Sequence, residues 1–434
     1  MTPLNRNSLI ECYHEYGKPK DQWRVGAEFE RIAVHSDGRQ LDYSEPGGIH
    51  DILKVLKDNH GWRPSFEGEN IIGMSRNGSH LTLEPGGQLE LATQPHPRLL
   101  DLAQEIADNT SEIAQATELP GIRWVASGLS PLSAPDAVEW VPKGRYRIMR
   151  EYLPERGALA PVMMKSTSSF QLALDYRDES DCALKTNALL RLAPLTTALF
   201  ANSPIRLGKD TGFASARAAA WMQTDPDRTG FPDSLMHGYT HERWVDYLLD
   251  MPMMFFKIEG HWVPANGKTF RQYMAGGHKG VFPTWDDWEL HQTSVFPEVR
   301  VKHFIELRGA DACPIPLAMA GIAMWTGALY DTNALSVVNE LACEFQAAQN
   351  TNQAFSGAIR DGVDYLVGGR SLNSWAARLM DIAETGLSQW QPDAVGLLAP
   401  LRSQIESGES PASRQRMAFE SRNSMSEYLD AIRY

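Results

Sequence analysis

Three features of the sequence predict an α+β fold, with a largely antiparallel sheet backed by helices. Short segments alternate apolar and polar side chains, the period of a strand with one core face. A hairpin-like break, Pro85-Gly86-Gly87, separates two of these segments. Helical periodicity fills intervals between the strands and takes over from about residue 315, so strands and helices are grouped rather than strictly alternating.

The spacing predicts a first strand over residues 23–34, with Val25, Ala27 and Phe29 on one face and Glu28 and Glu30 on the other. A helix over 48–59 follows from Ile49, Ile52, Leu53 and Leu56. Strands over 80–84 and 88–92 flank the glycine break. Residues 98–117 form an amphipathic helix with Leu99, Leu102, Ile106 and Ile113 along one stripe. A strand is expected over 168–176, then a helix capped by Ser180 that Pro194, lacking an N–H, should kink or divide. Residues 204–238 are rich in Gly, Pro, Asp and Arg and read as a long functional loop. Strands and loops alternate over 253–308. The last strand, 298–308, sets Val299, Val301, His303, Ile305 and Leu307 against Arg300, Lys302, Phe304, Glu306 and Arg308. Helices over 372–385 and 410–432 belong to the helical C-terminal portion. With no linker or low-complexity tract, residues 1–434 read as one catalytic unit.

The chain has 434 residues, 43% of them hydrophobic, enough for a large core. A net charge of -13 argues against a nucleic-acid partner. Cys12, Cys182, Cys313 and Cys343 are scattered without CxxC or zinc spacing, the pattern of a reducing compartment. No apolar run reaches membrane length and residues 1–24 are polar, so a cytoplasmic protein without a membrane partner is expected, as a monomer or homodimer.

Glu28 and Glu30 would lie about 7 Å apart on one strand face, a repulsion that a divalent cation relieves and that solvent also relieves. Gln88 and Glu90 repeat the pattern after Glu84, and Gly86 and Gly87 either admit a ligand or form a turn. Gln171 shares a face with Ser169 and Asp175, as an oxygen ligand or as a partner to a neighbouring strand. Arginine forks suited to carboxylate or phosphate occur at Arg145, Arg147 and Arg150, at Arg228 between acidic residues, and at Arg271. There is no P-loop, GxGxxG, HExxH or GxSxG motif. Oxygen-rich donors favour Mg²⁺ over zinc. The residues alone therefore point to a Mg²⁺-dependent enzyme that handles nucleotide or phosphate on an antiparallel sheet.

At these same residues the chain resembles the plant-type glutamate–cysteine ligases, also found in bacteria and related to glutamine synthetase. The matching runs begin with Gly26-Ala27-Glu28-Phe29-Glu30, Leu83-Glu84-Pro85-Gly86-Gly87-Gln88-Leu89-Glu90-Leu91 and Arg145-Tyr146-Arg147-Ile148-Met149-Arg150. They continue with Thr197 to Pro204, Trp221 to Gly230, Tyr247 to Met253, Thr269-Phe270-Arg271-Gln272, Phe296 to Lys302 and Glu306 to Asp311. Together, in order over about three quarters of the chain, they are far more specific than any one alone.

The resemblance implies a curved, mainly antiparallel sheet of about six strands lining the active site in a glutamine synthetase-like fold. It implies ATP- and Mg²⁺-dependent coupling of the L-glutamate γ-carboxylate to the amine of L-cysteine through a γ-glutamyl phosphate, in glutathione biosynthesis. A γ-glutamyl ligase with another amine acceptor, a catalytically silent binding protein and a phosphagen-kinase-like phosphotransferase are the competing readings. By the family's pattern Glu28, Glu30, Glu84, Glu90, Gln171 and Glu306 hold metal. Arg145, Arg150, Ser169, Trp221 and Arg228 hold substrate, and Arg271, Arg300, Lys302 and Arg308 bind ATP. Glu28, Glu30, Arg228 and Arg308 are the catalytic set. Two departures touch the acceptor: Phe170 stands where plant members carry Val, and Ala312-Cys313 stands where they carry two glycines.

Overall fold

The computed structural model describes residues 4–117 and 121–434. Its central sheet has nine strands: β1 (Val25–Val34), β2 (Arg63–Glu67), β3 (Asn70–Arg76), β4 (Ser79–Leu83), β5 (Leu89–Ala92), β6 (Arg123–Val125), β7 (Ser169–Leu174), β8 (Val299–Val301) and β9 (Ile305–Asp311). They run in the order β8-β9-β7-β1-β5-β4-β3-β2, with β6 on the far end of β1, and every pairing is antiparallel. The α+β class holds, while the sheet exceeds the six strands expected. Bulges between Ser65 and Phe66 and between Leu307 and Ala310 interrupt its ladder, and bulges bend a sheet.

Residues 298–308 do not make one strand. The chain reverses at Lys302-His303-Phe304 and Val299, Arg300 and Val301 pair with Leu307, Glu306 and Ile305. Even residues thus oppose even residues, so the charged face survives the turn. The apolar set Val299, Val301, Ile305 and Leu307 is buried, whereas His303 belongs to the turn.

Helices cover the apolar side. Leu99–Ala116 packs on β1 and on the helix Ile49–His60, Glu179–Phe200 lies against β9, and Ile315–Tyr330 lies against β7 and the helix Leu372–Trp390. The cap of Glu179–Phe200 is Asp178, not Ser180, its side chain accepting from the Asp181 N–H at 2.9 Å. Pro194 sits inside this helix without ending it, because the helix is buried along most of its length and packing outweighs one missing hydrogen bond. The segment 204–238 contains the helices Ala216–Trp221 and Asp233–Met236, and 253–308 contains Phe270–Gly276 and Trp285–Gln292. The last two begin with capping boxes, Thr269 with Gln272 and Thr284 with Asp287. Helices predominate from Ile315 onward. Among the described residues no helix is long and apolar enough to cross a membrane. The four cysteines are unpaired, with Cys12, Cys182 and Cys313 buried and Cys343 exposed.

Phe170 belongs to the core face. Its ring stacks on Phe29, its cross-strand partner, at 6.1 Å and meets Phe200 edge-on at 5.0 Å. The substitution at this position therefore changes core volume rather than the polar face.

Candidate active site

The polar face of the sheet floors a cavity of about 540 Å³. Strand register gathers its carboxylates: on β1, Glu28 lies opposite Gln171 of β7 and Glu30 opposite Glu90 of β5. Like charges directly across a ladder repel, and these sit half-buried at the foot of the cavity. Burial first, then Glu90 and Glu306, pushes the Glu28 carboxyl up to about 7. Burial, then Glu90 and Glu84, pushes Glu30 up to about 8. Glu90 is raised as well, by burial and then Glu84, although Thr82 Oγ1 donates to it at 2.9 Å. Gln171 ties the floor together, its Nε2 donating to Glu30 at 3.4 Å and to Ser169 Oγ at 3.3 Å while its Oε1 accepts from Arg308 at 2.5 Å.

Glu84 lines the cavity at the end of β4, and the glycines after it serve the chain rather than a ligand. Gly87 has φ 86°, the left-handed turn conformation, and a Cβ on Gly86 would meet the Lys165 carbonyl oxygen at 2.3 Å. Gln88 is buried, its amide donating to the Thr167 carbonyl at 2.9 Å.

Arg300, Lys302 and Arg308 of the β8–β9 hairpin line the same cavity. Their anchor is Glu306, which also lines a smaller cavity beside Glu28 and Gln171. Arg300 Nε donates to it, Lys302 Nζ lies 2.6 Å from its Oε1, and Arg308 is 3.7 Å away. Burial works against its charge, but Arg300, Lys302 and Arg308 together hold Glu306 well below the ordinary carboxylate range. Register sets this cluster: Glu306 pairs directly with Arg300 across the hairpin. The smaller cavity, of about 270 Å³, is lined by Lys18, Arg24 and Phe304 as well as Glu306, and shares Glu28 and Gln171 with the large one.

Arg145 and Trp221 reach the large cavity, and Arg145 Nε and Trp221 Nε1 have no hydrogen-bond partner. Arg150 does not reach it: the Arg145 run forms the helix Gly144–Tyr152, and five residues at about 100° each turn Arg150 away to an exposed face. Arg271 is likewise remote, held by Asp250 at 2.6 Å and Asp246 at 3.1 Å on the helix His241–Asp250. Ser169 is buried beneath Gln171 and lines neither cavity. Arg228 is fully buried and outside the cavity lining, with Nε bound to Asp225 at 2.9 Å, Nη1 to the Ser294 carbonyl at 3.1 Å, and Nη2 to Tyr152 Oη at 3.2 Å and the Pro252 carbonyl. It braces the wall that carries Ser294 and Phe296 rather than offering a free fork.

Residues not singled out from the sequence complete the lining. Lys143 donates to the Leu83 carbonyl at 2.8 Å, and burial, then Arg145, lowers its ammonium to about 8. Glu67 and His80 enter from the β2–β3–β4 side. Lys143 directly precedes the Gly144-Arg145 run, which was the available signal; the β2–β3 hairpin gave none.

Among the described residues no three of the histidines, cysteines and carboxylates already stand close enough to hold a metal ion. The donor set nevertheless suits a hard divalent cation. Glu28, Glu30, Glu90 and Gln171 are oxygen donors in direct cross-strand register, and their mutual repulsion is the cost that a bound cation removes.

Fold and site together define an enzyme of α+β class whose antiparallel sheet gathers carboxylates and cations on one cavity. Residues 24–432 match the family model for glutamate–cysteine ligase family 2 (GCS2). The chain is 35% identical over 422 residues to the chloroplastic glutamate–cysteine ligase of Brassica juncea, covering 94% of this chain and 80% of that one. It is 33% identical over 432 residues to the chloroplastic glutamate–cysteine ligase A of Oryza sativa subsp. indica, covering 97% and 86%. Among solved structures, the glutamate–cysteine ligase of Francisella tularensis in complex with AMP superimposes with a TM-score of 0.59 at 13% identity, covering 94% of this chain and 87% of that one. A bifunctional glutathione synthetase from Pasteurella multocida gives 0.53 at 13% identity, covering 98% and 52%. The chain belongs to glutamate–cysteine ligase family 2. The chloroplastic relatives overturn the cytoplasmic expectation: unpaired, scattered thiols speak to redox conditions, which several compartments share.

Proposed function

We propose that this protein couples the γ-carboxylate of L-glutamate to the amine of L-cysteine at the expense of ATP, forming γ-glutamylcysteine, the first step of glutathione biosynthesis. The observation that carries this reading, in a chain of this family, is the convergence of Glu28, Glu30, Glu84 and Glu90 with Arg300, Lys302 and Arg308 on one cavity. A γ-carboxylate oxygen attacks the γ-phosphorus of ATP and ADP leaves. The amine nitrogen then attacks the acyl carbon, the C–O bond to phosphate breaks, and the nitrogen gives up a proton.

Glu28, Glu30, Glu84 and Glu90, with Gln171, would hold Mg²⁺, which when bound screens the phosphate oxyanions. Arg300, Lys302 and Arg308 take the transferring phosphate oxygens, and Glu306 keeps the three cations fixed before substrate arrives, so little reorganisation is left for the reaction. Arg145 and Trp221 line the cavity and would meet the substrate carboxylates, and Arg145 Nε and Trp221 Nε1 have no hydrogen-bond partner in the ligand-free protein. The smaller cavity gives the nucleotide its own approach to Glu28 and Gln171, with the Phe304 ring as a stacking surface. Residues 1–434 act as one catalytic unit, since the helix Glu179–Phe200, which follows β7, packs against Thr332–Ala348 of the C-terminal portion.

Phe170 sits in the core, so its change from the plant pattern leaves the polar face free for cysteine. The test is ADP release from ATP, Mg²⁺ and glutamate with cysteine, serine, alanine, glycine or 2-aminobutyrate as acceptor. Cysteine should stimulate most strongly; stimulation by another amine with none by cysteine would replace this acceptor.

A further inference from the structure

On the opposite face of β1 from Glu30, Arg31 is buried, with 1% of its surface exposed. Its Nη1 donates to Asn109 Oδ1 at 3.2 Å and its Nη2 to Thr110 Oγ1 at 3.0 Å. Both partners are neutral. Its Nε has no hydrogen-bond partner, and neither does the buried Nδ2 of the adjoining Asn109. Among the described residues no carboxylate lies within ion-pair distance of Arg31. A buried guanidinium without a counter-charge is costly, and proteins keep such a group where something else supplies the negative charge.

Arg31 lines a cavity of about 290 Å³ that is separate from both cavities of the active site. The opposite walls are Ile113, Trp124 and Tyr434, with Arg123 and Arg433 at the rim. Asp430 is shared by those two rim arginines, at 2.7 Å from Arg123 Nε and 3.8 Å from Arg433 Nη1, so among the described residues cations outnumber acids around the space. The cavity thus joins a desolvated cation to a wall of apolar and aromatic side chains, with two threonines and the rim arginines completing the lining. Pockets of this kind bind small organic anions whose charged and apolar ends match the two halves.

We propose that this cavity is a second ligand site, which takes a small carboxylate with an aromatic or branched apolar substituent, its carboxylate on Arg31 and its apolar part against Ile113 and Trp124. The site adjoins the catalytic floor through Tyr434, whose hydroxyl donates to the Glu30 carbonyl at 3.3 Å.

Isothermal titration of the full chain with benzoate tests this, with benzamide as the uncharged isostere. One benzoate should bind per chain, benzamide at least about tenfold more weakly because it lacks the charge-assisted bonds. Saturating glutamate and ATP should not displace it. Arg31→Met should abolish binding. Ile113→Trp, which keeps Arg31 and fills the cavity, should abolish it too and guards against misfolding of the first variant. Absence of binding at millimolar benzoate, undiminished binding in either folded variant, or displacement by glutamate would overturn the proposal.

Discussion

Arg228 illustrates how much the partners of one side chain decide. In sequence it stands in a polar loop beside Asp225 and Asp227, the setting of an anion-binding fork. In the fold that fork is already filled by Asp225, Ser294, Tyr152 and Pro252, and three of these lie 24 to 76 residues away along the chain. Residue type was legible; saturation of its donors was not, because distant segments supply the acceptors. Lysine carries one compact ammonium and cannot replace four directed contacts. Arg228→Lys should therefore cost about 3 kcal/mol of stability, in the range for opening a buried ion pair. In urea denaturation this appears as a lower midpoint, while the KM values for glutamate and ATP in the folded variant shift together. Unchanged stability with a selective rise in the glutamate KM would return Arg228 to the substrate site.

At the scale of elements, alternation identified the faces of β1, β5, β7 and the β8–β9 hairpin even where it misjudged a strand's ends. The three-residue turn at Lys302-His303-Phe304 keeps parity, so one strand and one hairpin give the same charged face. The β2–β3 hairpin escaped for the opposite reason: Arg63–Glu67 is exposed or half-exposed throughout, and a strand without a core face has no apolar alternation to read. Cross-strand register, which sequence does not give, is what sets Glu30 directly against Glu90. That pairing stores repulsion in the ligand-free protein. Glu30→Gln removes the charge while keeping shape, so it should raise apo stability by about 1 kcal/mol. It should lower kcat/KM by about 100-fold or more, as loss of a preorganised electrostatic group does. Parallel thermal unfolding and ADP-release assays check both; a variant that loses stability, or keeps full turnover, contradicts the assignment.

Across the whole molecule these carboxylates set how stability depends on pH. Glu28 is raised to about 7, Glu30 to about 8 and Glu298 to about 7, burial being the largest cause for each, and Glu90 moves the same way. A folded-state pKa above the unfolded value means that the folded chain binds more protons between the two, so stability falls as pH rises through that window. Glu306 is shifted the other way, and its contribution is complete above its unfolded pKa, so it adds no slope near neutrality. His241 and His291, which burial lowers to about 4, add stability as pH rises toward their unfolded value, so the carboxylate effect is isolated above that range. The ligand-free protein should therefore lose on the order of 1 kcal/mol between about pH 7 and 8, a figure discounted for the carboxylates that still face the cavity. Mg²⁺ ligates the ionised forms, so its stabilisation should grow over the same interval and offset the loss. Urea titrations at both pH values, with and without Mg²⁺, decide the matter. A flat or rising apo profile would remove the repulsive floor, and a Mg²⁺ effect independent of pH would place the ion on ligands other than these glutamates.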